Sequence, residues 1–230
     1  GGFSGGTVAS LMATLESSKR DPGILKTLAN PFALTPGFVG PEQPRGDAPV
    51  HDADSDTWSA PFIMASINTK NVHRTNHLLG HAFGQDFVYD EMMMTGKGEK
   101  GEKAAKSAAG RDRIQNMMLG FAPTRALLRQ FVLPRPGQGP IKEQRETGFY
   151  DVLFTGATTD GRTLRASVKG DKDPGYGSTS KMIAQSALCL AQDVGRDKTG
   201  GGVWTPGAAL GEALIARLEA NAGLRFALEN

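Results

Sequence analysis

The chain has 230 residues, of which 39% are hydrophobic, 22% charged and 7% aromatic, enough to bury a substantial core without covalent staples. Its 26 basic and 24 acidic side chains nearly cancel, so no strong positive field exists to gather phosphate backbones, and nucleic acid is excluded as an expected partner. A single cysteine, Cys189, excludes an internal disulfide and a cysteine-rich metal site and fits a reducing compartment, by default the cytoplasm; no apolar run reaches the roughly eighteen residues of a transmembrane helix.

The sequence opens on Gly1-Gly2-Phe3-Ser4-Gly5-Gly6-Thr7 with no initiator Met, and reads as an internal fragment or a processed product. Val8, Leu11, Met12 and Leu15 recur at helical spacing and predict an amphipathic helix from Thr7 to Arg20. Asp21-Pro22 then suits the cap and first turn of a short helix through Leu28. Five prolines between Asn30 and Ala60 predict a long surface loop. Pro61 to Leu79 reads as a helix opened by proline and closed by Gly80, with a polar face of the kind that lines something, and Phe87 to Thr95 reads as a strand. The Lys97 to Lys106 stretch is expected to be a solvated helix start or loop leading into an Ala-rich helix. Ile114 to Val132 is expected to form one or two buried helices.

Phe149 to Ala157 and Arg162 to Lys169 alternate as strands, and the Asp160-Gly161 between them is a strong hairpin signal. A turn over Asp171 to Gly177 opens a helix from Ser178 to Val194. Thr205-Pro206 starts another that runs to Asn221, and Leu224 to Leu228 adds a short strand. Hairpins with irregularly interposed helices argue for an α+β fold: a mostly antiparallel sheet covered by helices on one face, in one domain over residues 1–230.

Four constellations invite chemistry. The Gly-rich opening before a helix suits either tight strand-to-helix packing or contact with an anion, but it has neither dinucleotide nor P-loop spacing. At the turn before the Ser178 helix, free amides, the hydroxyls of Ser178 and Thr179 and the Lys181 ammonium converge on one helix start, with Tyr176 as an acid or lid. This suits a substrate carboxylate or phosphate, and equally a capped helix that needs glycine for its turn. His73, His77 and His81 are spaced one turn apart, but Gly80 interrupts the helix, so no metal is expected there. Asp52, Asp54 and Asp56 lack the glycine and closing glutamate of a calcium loop. Cys189 reads as a small core residue.

Taken together, Gly1 to Ser10, Ala60-Pro61-Phe62-Ile63-Met64-Ala65 with Asn68-Thr69 and Leu78-Leu79-Gly80, Gly170 to Met182, Ser186 to Ala191 and Gly201-Gly202-Val203-Trp204-Thr205-Pro206 resemble the carboxy-terminal portion of the saccharopine dehydrogenase-like family, often labelled trans-acting enoyl reductase. The resemblance spans nearly the whole chain and is most specific around Asp173 to Gly177. It implies a substrate-side and dimerisation domain that follows an N-terminal Rossmann domain absent from this chain. It further implies NAD(P) bound by that absent domain, a small-molecule substrate, a homodimer and no catalysis by the fragment alone. No catalytic residue carries over. An alternative is a dimerisation or lipid-associated scaffold, motivated by Met92-Met93-Met94 and the apolar stretch from Met117 to Phe131.

Overall fold

The computed structural model describes residues 4–121, 123–124, 128 and 133–229. The expectations for Gly1 to Phe3 and for Leu127 and Phe131 therefore lie outside the described residues. Contacts divide the chain into two compact units, Gly1–Leu11 with Pro134–Asn230, and Met12–Leu133. The division falls inside the first helix, α1 (Gly5–Arg20), whose start belongs to one unit and whose remainder belongs to the other.

The Met12–Leu133 unit contains α2 (Gly23–Ala29), the strands β1 (Val50–Asp52), β2 (Thr57–Pro61) and β3 (Met92–Gly96), and the helices α3 (Ala65–Leu78) and α4 (Gly98–Gly120). The strands form an antiparallel sheet in the order β1-β2-β3. Long helix α4 packs on it through Ala105 and Ala108, against the fully buried Ala60 and half-buried Trp58. Alanines at this contact let helix and sheet approach closely, while the opposite helix face carries Glu99–Lys103 and Glu102–Lys106 pairs one turn apart, both at 2.6 Å. The solvated lysine-rich helix start is as expected.

Three expectations in this unit are corrected. The irregular stretch from Asn30 ends at Pro49, because 50–61 folds as the β1–β2 hairpin. Its turn is organised by Asp52, whose carboxylate accepts from the Asp54 amide at 3.0 Å and the Ser55 hydroxyl at 2.6 Å. Pro61 closes β2 instead of opening a helix: pairing with β1 ends at Val50 opposite Ser59, so beyond that point β2 is an edge and the missing proline N–H goes unneeded. The helix then starts at Ala65. Finally, the far end of α4 is not buried, for Ile114, Met117 and Phe121 are 56%, 68% and 61% exposed.

The polar face of α3 does line something, namely its own flanking loops. Asn76, 2% exposed, donates to the Gly84 carbonyl and accepts from the Phe83 amide, both at 2.8 Å. Asn68 donates to Glu91 at 2.9 Å, and Arg74 donates to the Leu34 carbonyl. Strand β3 begins only at Met92, because the Tyr89 amide is claimed by Gln43 and the Glu91 amide by Asp90 before any ladder forms.

The other unit holds a short helix α5 (Lys142–Thr147), the hairpin β4 (Tyr150–Ala157) and β5 (Thr163–Gly170), helices α6 (Gly177–Gln192) and α7 (Pro206–Asn221), and β6 (Leu224–Glu229). Its antiparallel sheet runs β4-β5-β6. The core lies between the sheet and the α6–α7 pair: Cys189, Leu210, Leu214, Leu218 and Leu224 are buried, with Val168 and Phe226 packed against them. Arg217 fastens α7 to α6 through two bonds to the Asp193 carboxylate at 2.6 and 3.0 Å and one to each of Gln185 and Gln192. Both units thus combine helices with a wholly antiparallel sheet, which makes the class α+β; the strands fall into two sheets of three among the described residues.

Candidate functional site

The turn before α6 is built on one buried acid. Asp173, 2% exposed, accepts from the Tyr176 amide at 2.8 Å through its carboxylate and from the Ser178 amide at 2.8 Å through its carbonyl. With Pro174 next, this is an N-cap followed by proline at the first turn position, placed one turn ahead of the regular helix. The surrounding chain closes in on this turn. A Cβ on Gly177 would lie 2.2 Å from the Arg145 carbonyl oxygen, and one on Gly148 would lie 2.7 Å from Asp173 Cα. These glycines are there for close backbone approach.

Tyr176 leaves the turn toward the start of α1. Its hydroxyl accepts from the Ser4 amide at 2.8 Å and lies 3.1 Å from Thr7 Oγ1, while the Thr7 amide donates to Ser4 Oγ at 3.3 Å. The bond from Ser4, then that from Thr7, holds the phenol below the usual tyrosine range, since both favour the phenolate. The phenolic oxygen of the α6 N-cap residue therefore sits at the start of α1, where the helix dipole favours negative charge.

The other expected site residues are placed differently. Ser178 is fully buried and its hydroxyl lies 3.0 Å from Tyr150 Oη, on the sheet side of α6. Thr179 donates its hydroxyl to the Pro174 carbonyl and so closes the turn. Lys181 is half-buried one turn into α6. The structure thus brings Tyr176 together with Ser4 and Thr7, and uses Ser178 and Thr179 to hold the turn. Sequence reasoning missed Asp173, Ser4 and Tyr150 as organisers; Asp before Pro at a helix entry was the legible signal for the first.

Tyr150 links this turn to a cleft of about 500 Å³ in the same unit, lined by Phe149, Tyr150, Lys169, Asp171, Leu224 and Arg225 among others. Its floor needs glycine at two places. A Cβ on Gly170 would sit 2.1 Å from the Tyr150 ring, and Gly223, at φ 73°, faces the Asp171 carboxylate. Its lining includes the pair of Lys169 and Asp151 at 3.0 Å, with Asp171 and Arg225 beside them.

Both sheets are antiparallel, so no strand–helix–parallel-strand unit exists among the described residues. The glycine-rich start of α1 is closed by its own unit: Gly5 donates to the Gln138 carbonyl at 2.8 Å, and a Cβ on Gly5 would lie 1.8 Å from the Arg135 carbonyl oxygen.

In the other unit, His73, His77 and His81 do cluster, but with rings instead of carboxylates. His73 lies 4.5 Å from the Phe32 ring, His81 4.2 Å from Phe38, and His77 5.4 Å from His81. Burial lowers the His73 pKa, because desolvation disfavours the charged ring. No group of three or more His, Cys, Asp or Glu able to hold a metal occurs among the described residues, and none of their helices is long and apolar enough to cross a membrane. Cys189 is fully buried in the core, where burial first and the Asp193 contact second raise its thiol pKa.

Neither a family model nor a solved structure matches the chain. Among curated proteins it is 37% identical, over 96% of its length, to a Mycobacterium tuberculosis protein assigned provisionally by name to the trans-acting enoyl reductases, and it covers 55% of that protein. It is 33% identical over 94% of its length to the trans-acting enoyl reductase of Mycobacterium bovis and 32% identical over 94% to that of Mycobacterium ulcerans, covering 54% of each. Nearly the whole chain is thus similar to trans-acting enoyl reductases, and it spans about half the length of these curated relatives.

Proposed function

We propose that the chain belongs to the trans-acting enoyl reductases, within the saccharopine dehydrogenase-like family, and is the carboxy-terminal, substrate-side half of an NAD(P)-dependent oxidoreductase. The observation that carries this reading is likeness over 96% of the chain to a relative of which the chain covers 55%. In this reading a Rossmann domain outside the chain holds the nicotinamide cofactor, which supplies hydride, and the parent is a homodimer. This chain supplies a wall of the substrate cleft and by itself catalyses nothing. Tyr176 and Lys181 face the polar end of a small-molecule substrate, Ser178 and Thr179 fix the turn that carries them, and the cleft beside Tyr150 takes its apolar body.

The test joins the chain to the Rossmann half and follows NADPH oxidation with a short enoyl thioester. Turnover is expected, and Lys181→Ala is expected to raise KM roughly tenfold, about the loss of one charge-assisted hydrogen bond. A folded, NADPH-binding protein that reduces no enoyl thioester would contradict the reading.

One observation favours a second reading, a lipid-associated scaffold. Met93, Met94, Met117 and Phe121 are 45%, 52%, 68% and 61% exposed. Cosedimentation of the chain with anionic vesicles, abolished by Met117→Glu with Phe121→Glu, would support it; recovery of all protein in the supernatant would remove it.

A further inference from the structure

Residues 30–40 form a strap at the surface of the Met12–Leu133 unit. They carry no charge, and Leu34 and Val39 are 43% and 78% exposed, so solvent lies on the outer side. The strap folds on itself. The Thr35 hydroxyl lies 2.9 Å from both the Phe32 and the Phe38 carbonyl, and the Asn30 side-chain oxygen accepts from the Phe32 amide at 2.9 Å. The rings of Phe32 and Phe38 meet edge to face at 6.0 Å.

These two rings rest on histidines. Phe32, itself buried, lies 4.5 Å from the His73 ring, and Phe87 stands on His73 at 5.7 Å as well. Phe38 lies 4.2 Å from His81 and 6.4 Å from His77. His73 is 3% exposed, and its Nε2, together with Nδ1 of His77 and of His81, is shut off from solvent with no hydrogen-bond partner. His81 is held there under strain. The end of α3 is closed by the His81 amide donating to the Asn76 carbonyl at 2.8 Å and the Gly80 amide donating to the His77 carbonyl at 3.1 Å, and His81 keeps a left-handed φ of 65° that a side chain resists.

A neutral imidazole tolerates such a place and an imidazolium does not, since a buried charge needs a counter-charge or a set of acceptors. The charged groups on the elements packed here are Lys26 on α2, Lys70 and Arg74 on α3, Glu42 just after the strap, and Asp86, Asp90 and Glu91 on the 82–91 segment. Lys70 and Arg74, which flank His73, are cations that donate to the Ser66 and Leu34 carbonyls, and Glu91 accepts from Asn68 and Tyr89. Among the described residues no ion pair or hydrogen bond joins any of these groups to the three histidines.

We propose that residues 30–40 are an acid-released strap, docked on α3 while His73 is neutral and lifted when His73 takes up a proton, which opens Phe32, Phe38 and the histidine face of α3 to solvent. The direction follows from burial. Desolvation holds the docked His73 below the ordinary histidine value of about 6.5, so docking is at full strength above that value and weakens as pH falls through the docked one. The device needs no enzymatic role and stands apart from the reductase reading.

Hydrogen exchange of the full chain, corrected for the intrinsic effect of pH, is expected to show the protection of 30–40 falling by roughly tenfold or more between about pH 7.5 and about pH 5, while the α4 amides around Ala105 keep theirs. His73→Phe replaces the imidazole by a ring that takes up no proton, and is expected to leave the strap protected at both values. Should His73→Phe fail to fold by circular dichroism, the unaltered chain decides: NMR of the imidazole nitrogens is expected to give His73 the same titration midpoint as strap release. Strap protection that does not change with pH, a change that persists in His73→Phe, or a His73 midpoint separate from that of release would overturn the inference.

Discussion

At the scale of single residues, Tyr176 and Tyr89 are pulled in opposite directions, and the difference is measurable. Hydrogen bonds from Ser4 and Thr7 lower the Tyr176 pKa, whereas burial first and the bond to Glu91 second raise that of Tyr89 far beyond the ordinary value. The Tyr176 contribution to stability is present above the ordinary pKa of about 10 and is lost as pH falls through the lower folded value. That of Tyr89 is present below about 10 and is lost as pH rises. Titration at 295 nm should therefore show one tyrosine ionising early and one late, and Tyr176→Phe should remove the early step alone. Gly170 makes a second test. A Cβ there would lie 2.1 Å from the Tyr150 ring, so Gly170→Ala should cost about 1–3 kcal/mol in urea unfolding, and less in a Tyr150→Ala background that vacates the space.

At the scale of elements, the turn before α6 rests on the Asp173 cap. Asp173→Ala should cost about 0.5–2 kcal/mol, while Asp173→Asn, which keeps an accepting oxygen, should cost markedly less by the same measurement. Elements were legible in the sequence where local chemistry decides alone. Asp160-Gly161 marks the β4–β5 hairpin, and Thr205-Pro206 and Gly223 bracket α7. They were illegible where a distant partner decides. Pro61 suits a helix start as well as a strand end, and only the early stop of β1 chooses between them. The Phe87 to Glu91 segment has strand composition but loses its amides to Gln43 and Asp90. Of the candidate site, the sequence showed that amides and hydroxyls gather before α6; it could not show that Ser178 turns inward to Tyr150 or that Tyr176 reaches Ser4, contacts spanning 172 residues in the latter case.

At the scale of the whole molecule, one unit sets an antiparallel sheet under two helices, with a cleft at the ends of its strands and with Gly5, at the start of α1, closed by the Gln138 and Arg135 carbonyls. In the proposed reading the nicotinamide chemistry belongs to another domain, since both sheets of the described residues are antiparallel and offer no strand–helix–parallel-strand unit. Calorimetric titration of the isolated chain with NADPH and with NADH tests this most directly. The account predicts no saturable heat at millimolar cofactor and no turnover; saturable binding at micromolar concentration together with reduction of an enoyl thioester would contradict it.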